Sequence, residues 1–219
     1  MKNFRKNLKI KLPVYIILGI IVLSFFLYEF EVIPHPSFDN AYFHITTYQS
    51  QVDQDNDDVD DQTDILQNTK AYLSTKPKYK SKYYSTGYPD DEYGVCTDVV
   101  AFALLNAGYD IKNLLYEDVL ANQEAYNITN IDKNIDFRRV KNLQVYLARN
   151  AISLPTDFSD LNAWQGGDIV VFERHIGIVS DKRNYKGIPF LLHHANPYQI
   201  RYEEDVLEKY TIVGHYRIS

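Results

Sequence analysis

The chain predicts an α+β fold with helices first and strands last, and three observations carry that reading. Apolar residues recur at helical spacing between about residues 64 and 150, they alternate as in strands after Pro155, and a basic-flanked apolar run precedes both patterns.

That opening run is the first element. Lys2, Arg5, Lys6, Lys9 and Lys11 stand in the first eleven residues with no acid among them, and the apolar stretch extends from Leu12 to Tyr28. As a helix it reaches roughly 26 Å, near the roughly 30 Å of a bilayer's hydrocarbon core. Tyr28-Glu29-Phe30-Glu31-Val32 offers no small-residue cleavage site. An uncleaved transmembrane signal anchor is therefore expected over residues 12–30. The flank 1–11 would be cytoplasmic and the rest extracytoplasmic, making a single-pass protein of the cell membrane.

With the five flank charges set aside, the formal charge of −6 becomes about −11, which argues against nucleic acid as a partner. Lys70, Lys76, Lys78, Lys80 and Lys82 interleave with Tyr72, Tyr79 and Tyr83, and read as a solvated helix and loop whose tyrosines dock on the core. Asn127-Ile128-Thr129 fits a glycosylation sequon, of consequence only in a eukaryotic secretory pathway. Residues 31–63 lose periodicity and read as a flexible acidic tether. The aspartates Asp53, Asp55, Asp57, Asp58, Asp60 and Asp61 lack the glycine and distal glutamate of an EF-hand loop, so no metal is expected there.

Residues 64–219 suit one domain. Ile65, Leu66, Thr69, Tyr72 and Leu73 share a helical face; Cys96 to Asn106 forms an apolar helix closed by Ala107-Gly108; Leu114 to Glu124 is a third helix. Val140, Leu143, Tyr146 and Leu147 mark a fourth, ending at Asn150. Strands are expected at 168–173, 175–181, 188–194 and 211–216.

Cys96, the single cysteine, has no partner for an intrachain disulfide. At the first turn of a helix, free backbone N–H groups favour a nucleophilic thiolate and can stabilise an oxyanion. The candidate base is His175, at the start of His175-Ile176-Gly177-Ile178-Val179, with Gly177 leaving room on its face of the strand. His193 and His194 must point to opposite faces of the next strand, so one can orient His175. Asn196, past the strand's end, is an alternative orienter. His35, His44 and His215 lie outside this pattern. Two histidines with Asp168 and Asp181 fit no common zinc spacing.

These residues sit in motifs. Tyr88-Pro89, GVCTDVV (94–100), NIDFRRVKNLQVY (134–146), Trp164 with GGDIVVF (166–172), HIGIVSD (175–181) and GHYR (214–217) follow one another. In that order the chain resembles the bacterial domain of unknown function 1287 family, which looks like a branch of the NlpC-type, papain-like cysteine peptidases and amidases. The resemblance implies a papain-like fold, with N-terminal helices packed on an antiparallel sheet. It implies Cys96 as nucleophile, His175 as base and His193 as the third catalytic residue, with His194 laid on the wider group's pattern as the alternative. Where NlpC-type enzymes commonly carry Asp-Cys-Ser, this chain has Val95-Cys96-Thr97-Asp98. Asp136, Arg138 and Arg139 lie in the family-like segment and could hold a substrate carboxylate, or form an Asp-Arg pair that fixes the loop. Tyr88 could donate to the oxyanion. The implied activity is amide hydrolysis in cell-envelope peptides such as peptidoglycan, with no cofactor. A non-catalytic envelope-binding module and a cysteine acyltransferase are the competing readings.

Overall fold

The computed structural model describes residues 2–219, with side chains from Pro13 onward, and divides into two compact units, one ending at His35 and one running from Pro36 to Ser219. The first is built on α1 (Lys2–Glu29), where consecutive residues from Val14 to Leu18 and from Ile20 to Leu23 are apolar or glycine-flanked and the large ones are exposed. Its apolar surface thus runs round the helix and not along one face. Among the described residues no helix is long and apolar enough to cross a membrane. The side chains of the basic flank lie outside the described residues.

In the second unit, the segment expected as a flexible tether runs against the domain from Phe38 onward. Phe38 and Arg183 exchange backbone hydrogen bonds of 2.8 and 2.7 Å. The Arg183 guanidinium, buried, donates to Asn40 Oδ1 and Trp164 O, both at 2.5 Å, and burial lowers its pKa to about 10. Tyr48 Oη reaches Ser219 O at 2.9 Å.

Asp60 then caps α2 (Asp61–Ser74), accepting from Thr63 N–H, so this helix starts four residues before the periodic face that reveals it. A parallel pair, β1 (Lys78–Tyr79) and β2 (Tyr93–Gly94), leads into α3 (Cys96–Asn106), which has the bounds its sequence predicts. Gly108 at φ 81° ends the turn beyond it. The third expected helix begins earlier, as α4 (Ile111–Ala121), because Asp110 caps it, and is followed by a short α5 (Gln123–Tyr126). The fourth is α6 (Val140–Asn150).

The strands are β3 (Ile152–Ser153), β4 (Ile169–Phe172), β5 (Ile176–Arg183), β6 (Pro189–Leu192), β7 (Glu203–Glu204) and β8 (Ile212–Arg217). They form one sheet in the order β3-β8-β4-β5-β6-β7, every pairing antiparallel. The fold class is α+β. Alternation sends Ile169, Val171, Ile176 and Ile178 to the helical side, where they meet Val99, Leu104, Phe137 and Leu147. Val170, Phe172 and Val179 form a second core with Trp164, Leu191 and Leu207. Each such side chain, removed from water, contributes roughly 1.5–3 kcal/mol, so α3 and β5 are held in fixed register where they approach one another.

Candidate active site

Two chain features place Cys96. Gly94, its upstream neighbour but one, has no room for a side chain, since a Cβ there would collide with the Tyr72 hydroxyl. Asp98, three residues past the N-cap Val95, accepts the Val95 N–H at 2.8 Å and is completely buried. The Arg138 guanidinium grips it with two bonds, Nε to Oδ1 at 2.6 Å and Nη2 to Oδ2 at 2.9 Å, and Thr97 Oγ1 donates to Arg138 O at 3.2 Å. This fork fixes the first turn of α3. Arg138 is thus consumed by Asp98, and both its sequence-based readings, a substrate carboxylate or Asp136, give way to a third.

Cys96 and His175 line one cavity of about 480 Å³, with Tyr79, His193, Glu204, Asn196 and Tyr210. The backbone N–H groups of Ile176 and Thr97 lie near enough to the sulfur to favour its charged form, so the thiol sits close to the residue that follows His175. Burial nevertheless pushes the thiol up to about 11, outweighing those donors. The low-pKa thiolate expected at a helix start is therefore replaced, at rest, by a neutral thiol. Desolvation also dominates at His175, where burial and then His193 and His194 bring the pKa down to about 3.

A tautomer argument orders the histidines. His193 Nε2 lies 2.9 Å from Glu204 Oε2, and a carboxylate only accepts, so Nε2 carries the hydrogen. His193 Nδ1 is then a lone pair, and it lies 2.9 Å from His175 Nε2, which must donate to it. Neutral His175 is left with Nδ1 unprotonated. Gln199 Oε1 accepts Ala195 N–H at 2.6 Å, and its amide nitrogen, a donor like the His193 Nε2–H it approaches, finds its acceptor in His193 O at 3.4 Å. The result is a donor chain from His175 through His193 to Glu204 with a free basic nitrogen at its head.

Of the sequence-predicted residues, Cys96, His175 and His193 are brought together. His194 points elsewhere, edge-on to Tyr79 and Tyr202, with an unpartnered Nδ1. Burial, then His193, brings its pKa down to about 4. Tyr88 donates to Asp110 at 2.8 Å and packs on Phe102 and Phe137, away from the cavity. Asp136 is buried and accepts Asp132 N–H at 2.7 Å, while Arg139 is largely exposed and 3.8 Å from it. None of Tyr88, Asp136, Arg138 and Arg139 lines the cavity. The room expected beside Gly177 is taken by Leu191, whose Cδ1 would stand 2.9 Å from a Cβ there. Sequence reasoning missed Tyr79, Gln199 and Glu204. Tyr79 faces the thiol because β1 pairs with β2 immediately before α3; burial and then Cys96 push its hydroxyl's pKa up, so it remains a donor. Its position in the Lys70–Lys82 stretch made it read as a tyrosine docked on the core.

The match to known families covers this whole assembly, residues 66–218, under the description "Domain of unknown function (DUF1287)". The chain belongs to the DUF1287 family. This DUF1287 protein is also 37% identical over 150 residues to the uncharacterized protein YijF of Escherichia coli (strain K12), covering 64% of this chain and 72% of that one. No solved structure matches it.

Proposed function

We propose that this DUF1287 protein is a cysteine hydrolase that cleaves amide bonds, of papain-like, NlpC-type kind. It would be anchored in the cell membrane by α1, with its catalytic domain extracytoplasmic and its substrates envelope peptides such as those of peptidoglycan. The observation that carries the reading is the convergence of Cys96 and the His175–His193–Glu204 chain on one cavity. Neutral thiol and neutral imidazole are a resting pair: the proton moves from Cys96 Sγ to His175 Nδ1 as sulfur attacks the carbonyl carbon. The imidazolium so formed donates through Nε2 to His193, and the negative charge of Glu204 stabilises it through that ring. The backbone N–H at the start of α3 and the Tyr79 hydroxyl are the donors for the oxyanion. His175 returns its proton to the leaving amine, then draws one from the water that hydrolyses the thioester. No cofactor enters the scheme. The apolar girdle of α1, with the basic residues preceding it, supports the anchor and through it the envelope substrate.

The test uses full-length protein in detergent with purified peptidoglycan and synthetic stem peptides, following release of primary amines. Wild type should turn over and folded Cys96→Ala should fall to background. Undiminished turnover by Cys96→Ala overturns the assignment. Saturable binding without turnover by wild type indicates a binding module, and amide formation with an added amine indicates an acyltransferase.

A further inference from the structure

Between Phe172, which ends β4, and His175 stand only Glu173 and Arg174, outside the motifs on either side of them. The Phe172 N–H donates to His175 O at 2.8 Å, so the two residues form the middle of a tight turn that ends on the proposed base. Both are exposed, and both line the cavity that holds Cys96 and His175.

Their charges are the ones this cavity leaves open. Among the described residues neither side chain makes an ion pair or a hydrogen bond, with the other or elsewhere. Glu204, the second carboxylate on the cavity wall, is engaged by His193, and Asn196 Oδ1 accepts the Tyr198 N–H. Among the described residues that line the cavity, Arg174 alone carries a permanent positive charge. The arginines that the sequence offered for a substrate carboxylate are elsewhere: Arg138 is closed on Asp98, and Arg139 lies outside the cavity.

The chemistry of the site decides which half of a substrate meets this cation. His175 hands its proton to the leaving amine, so that nitrogen must come within hydrogen-bond reach of its ring. When the amine belongs to the last residue of a peptide, the terminal carboxyl carbon follows it at roughly 2.5 Å, two bonds on. A carboxylate is then delivered beside His175, where a guanidinium offers the planar pair of donors that matches it. Where the peptide continues instead, the same place receives a neutral amide, which forms no such pair. Glu173 keeps the empty turn neutral, so Arg174 does not oppose the positive charge that His175 acquires during reaction.

Resting on the hydrolase reading, we propose that Arg174 is a specificity residue that binds the free C-terminal carboxylate of a peptide substrate. The bond broken is then the amide preceding the last residue. That residue leaves as a free amino acid with the proton from His175, and water releases the shortened peptide from the thioester.

The test uses full-length protein in detergent and synthetic stem peptides, each made as the free acid and as the C-terminal carboxamide. Binding is measured by calorimetry on folded Cys96→Ala, which needs no turnover, and wild-type products are identified by mass spectrometry. The acid should bind at least about tenfold more tightly than the carboxamide. Adding Arg174→Gln to Cys96→Ala should abolish that preference, and Arg174→Lys should keep part of it. Wild type should release the last residue, and Arg174→Gln should raise KM for the acid at least about tenfold, with kcat changed less. Equal binding of acid and carboxamide, a preference that survives Arg174→Gln, no saturable binding of either form, or cleavage at an internal bond overturns the proposal. Preference for the acid without turnover retains Arg174 as a carboxylate site and strikes the hydrolase reading. Equal turnover of both forms strikes the role of Arg174 and leaves that reading standing.

Discussion

Two histidine–carboxylate pairs among the described residues have nearly the same geometry: His193 with Glu204 at 2.9 Å and His215 with Asp168 at 3.0 Å. Their surroundings separate them. Asp168 also takes Arg217 through Nε at 2.7 Å and Nη2 at 2.8 Å, Gln62 Nε2 at 2.9 Å and Gln165 N–H at 2.8 Å. His215 stacks on Trp164 at 3.9 Å and spends its other nitrogen on Pro155 O. Every valence there is closed inside the protein. At the other pair, His193 passes its remaining nitrogen to His175, and the group at the head of that chain meets a cavity and a thiol. Identical pair chemistry is saturated in one place and, in the other, leaves one valence open toward a cavity, which is what the proposed proton transfer requires.

Breaking the closed pair should have the largest effect on the fold. Asp168→Asn leaves Arg217 and His215 buried without their counter-charge, at a cost of about 3–5 kcal/mol, or a melting temperature about 10 °C lower. Thermal unfolding followed by circular dichroism checks this. A shift no larger than that of a surface substitution would mean Asp168 merely caps its turn.

Glu204→Gln should invert that pattern. The amide keeps shape and an acceptor but not the charge behind the His175 imidazolium, so stability should stay within about 1 kcal/mol. Turnover should fall by at least roughly tenfold, in kcat more than in KM. Loss of stability with kcat intact would place Glu204 with Asp168 as a structural acid.

The smallest effect sharpens the electrostatic side. His175 and His194 are held neutral, near 3 and 4 against an ordinary 6.5. Below 6.5 the unfolded chain takes up protons that the folded one refuses, so stability falls as pH drops from 6.5 toward 4 and 3 and this contribution levels off below. Urea denaturation at pH 7 and pH 4.5 should show a smaller acid loss in His194→Gln than in wild type. An unchanged difference would mean other groups carry the acid sensitivity.

Much of this was legible beforehand for a definite reason. The bounds of α3 followed from its apolar spacing and from the Ala107-Gly108 stop, and β4 and β5 from alternation, because both signals are local. β1, β2 and β7 were not legible, since a two-residue strand has no period. Their absence hid Tyr79 and Glu204, which reach the cavity on exactly those strands. Arg138 was visible as an ion-pair former, but its partner lies 40 residues upstream, at Asp98, and not in its own motif.

By itself, the order of residues determined the α+β class and the family, and it singled out Cys96 and His175 while leaving His193, His194 and Asn196 open as the third residue, because periodicity and motif order are written along the chain. Tertiary structure alone decided that Cys96 and His175 rest neutral, and that Glu204 is the carboxylate behind His193. A pKa depends on burial and on neighbours brought from afar. Neither distance nor desolvation is encoded in any one segment, and both arise only when α3, β5 and β7 are packed together.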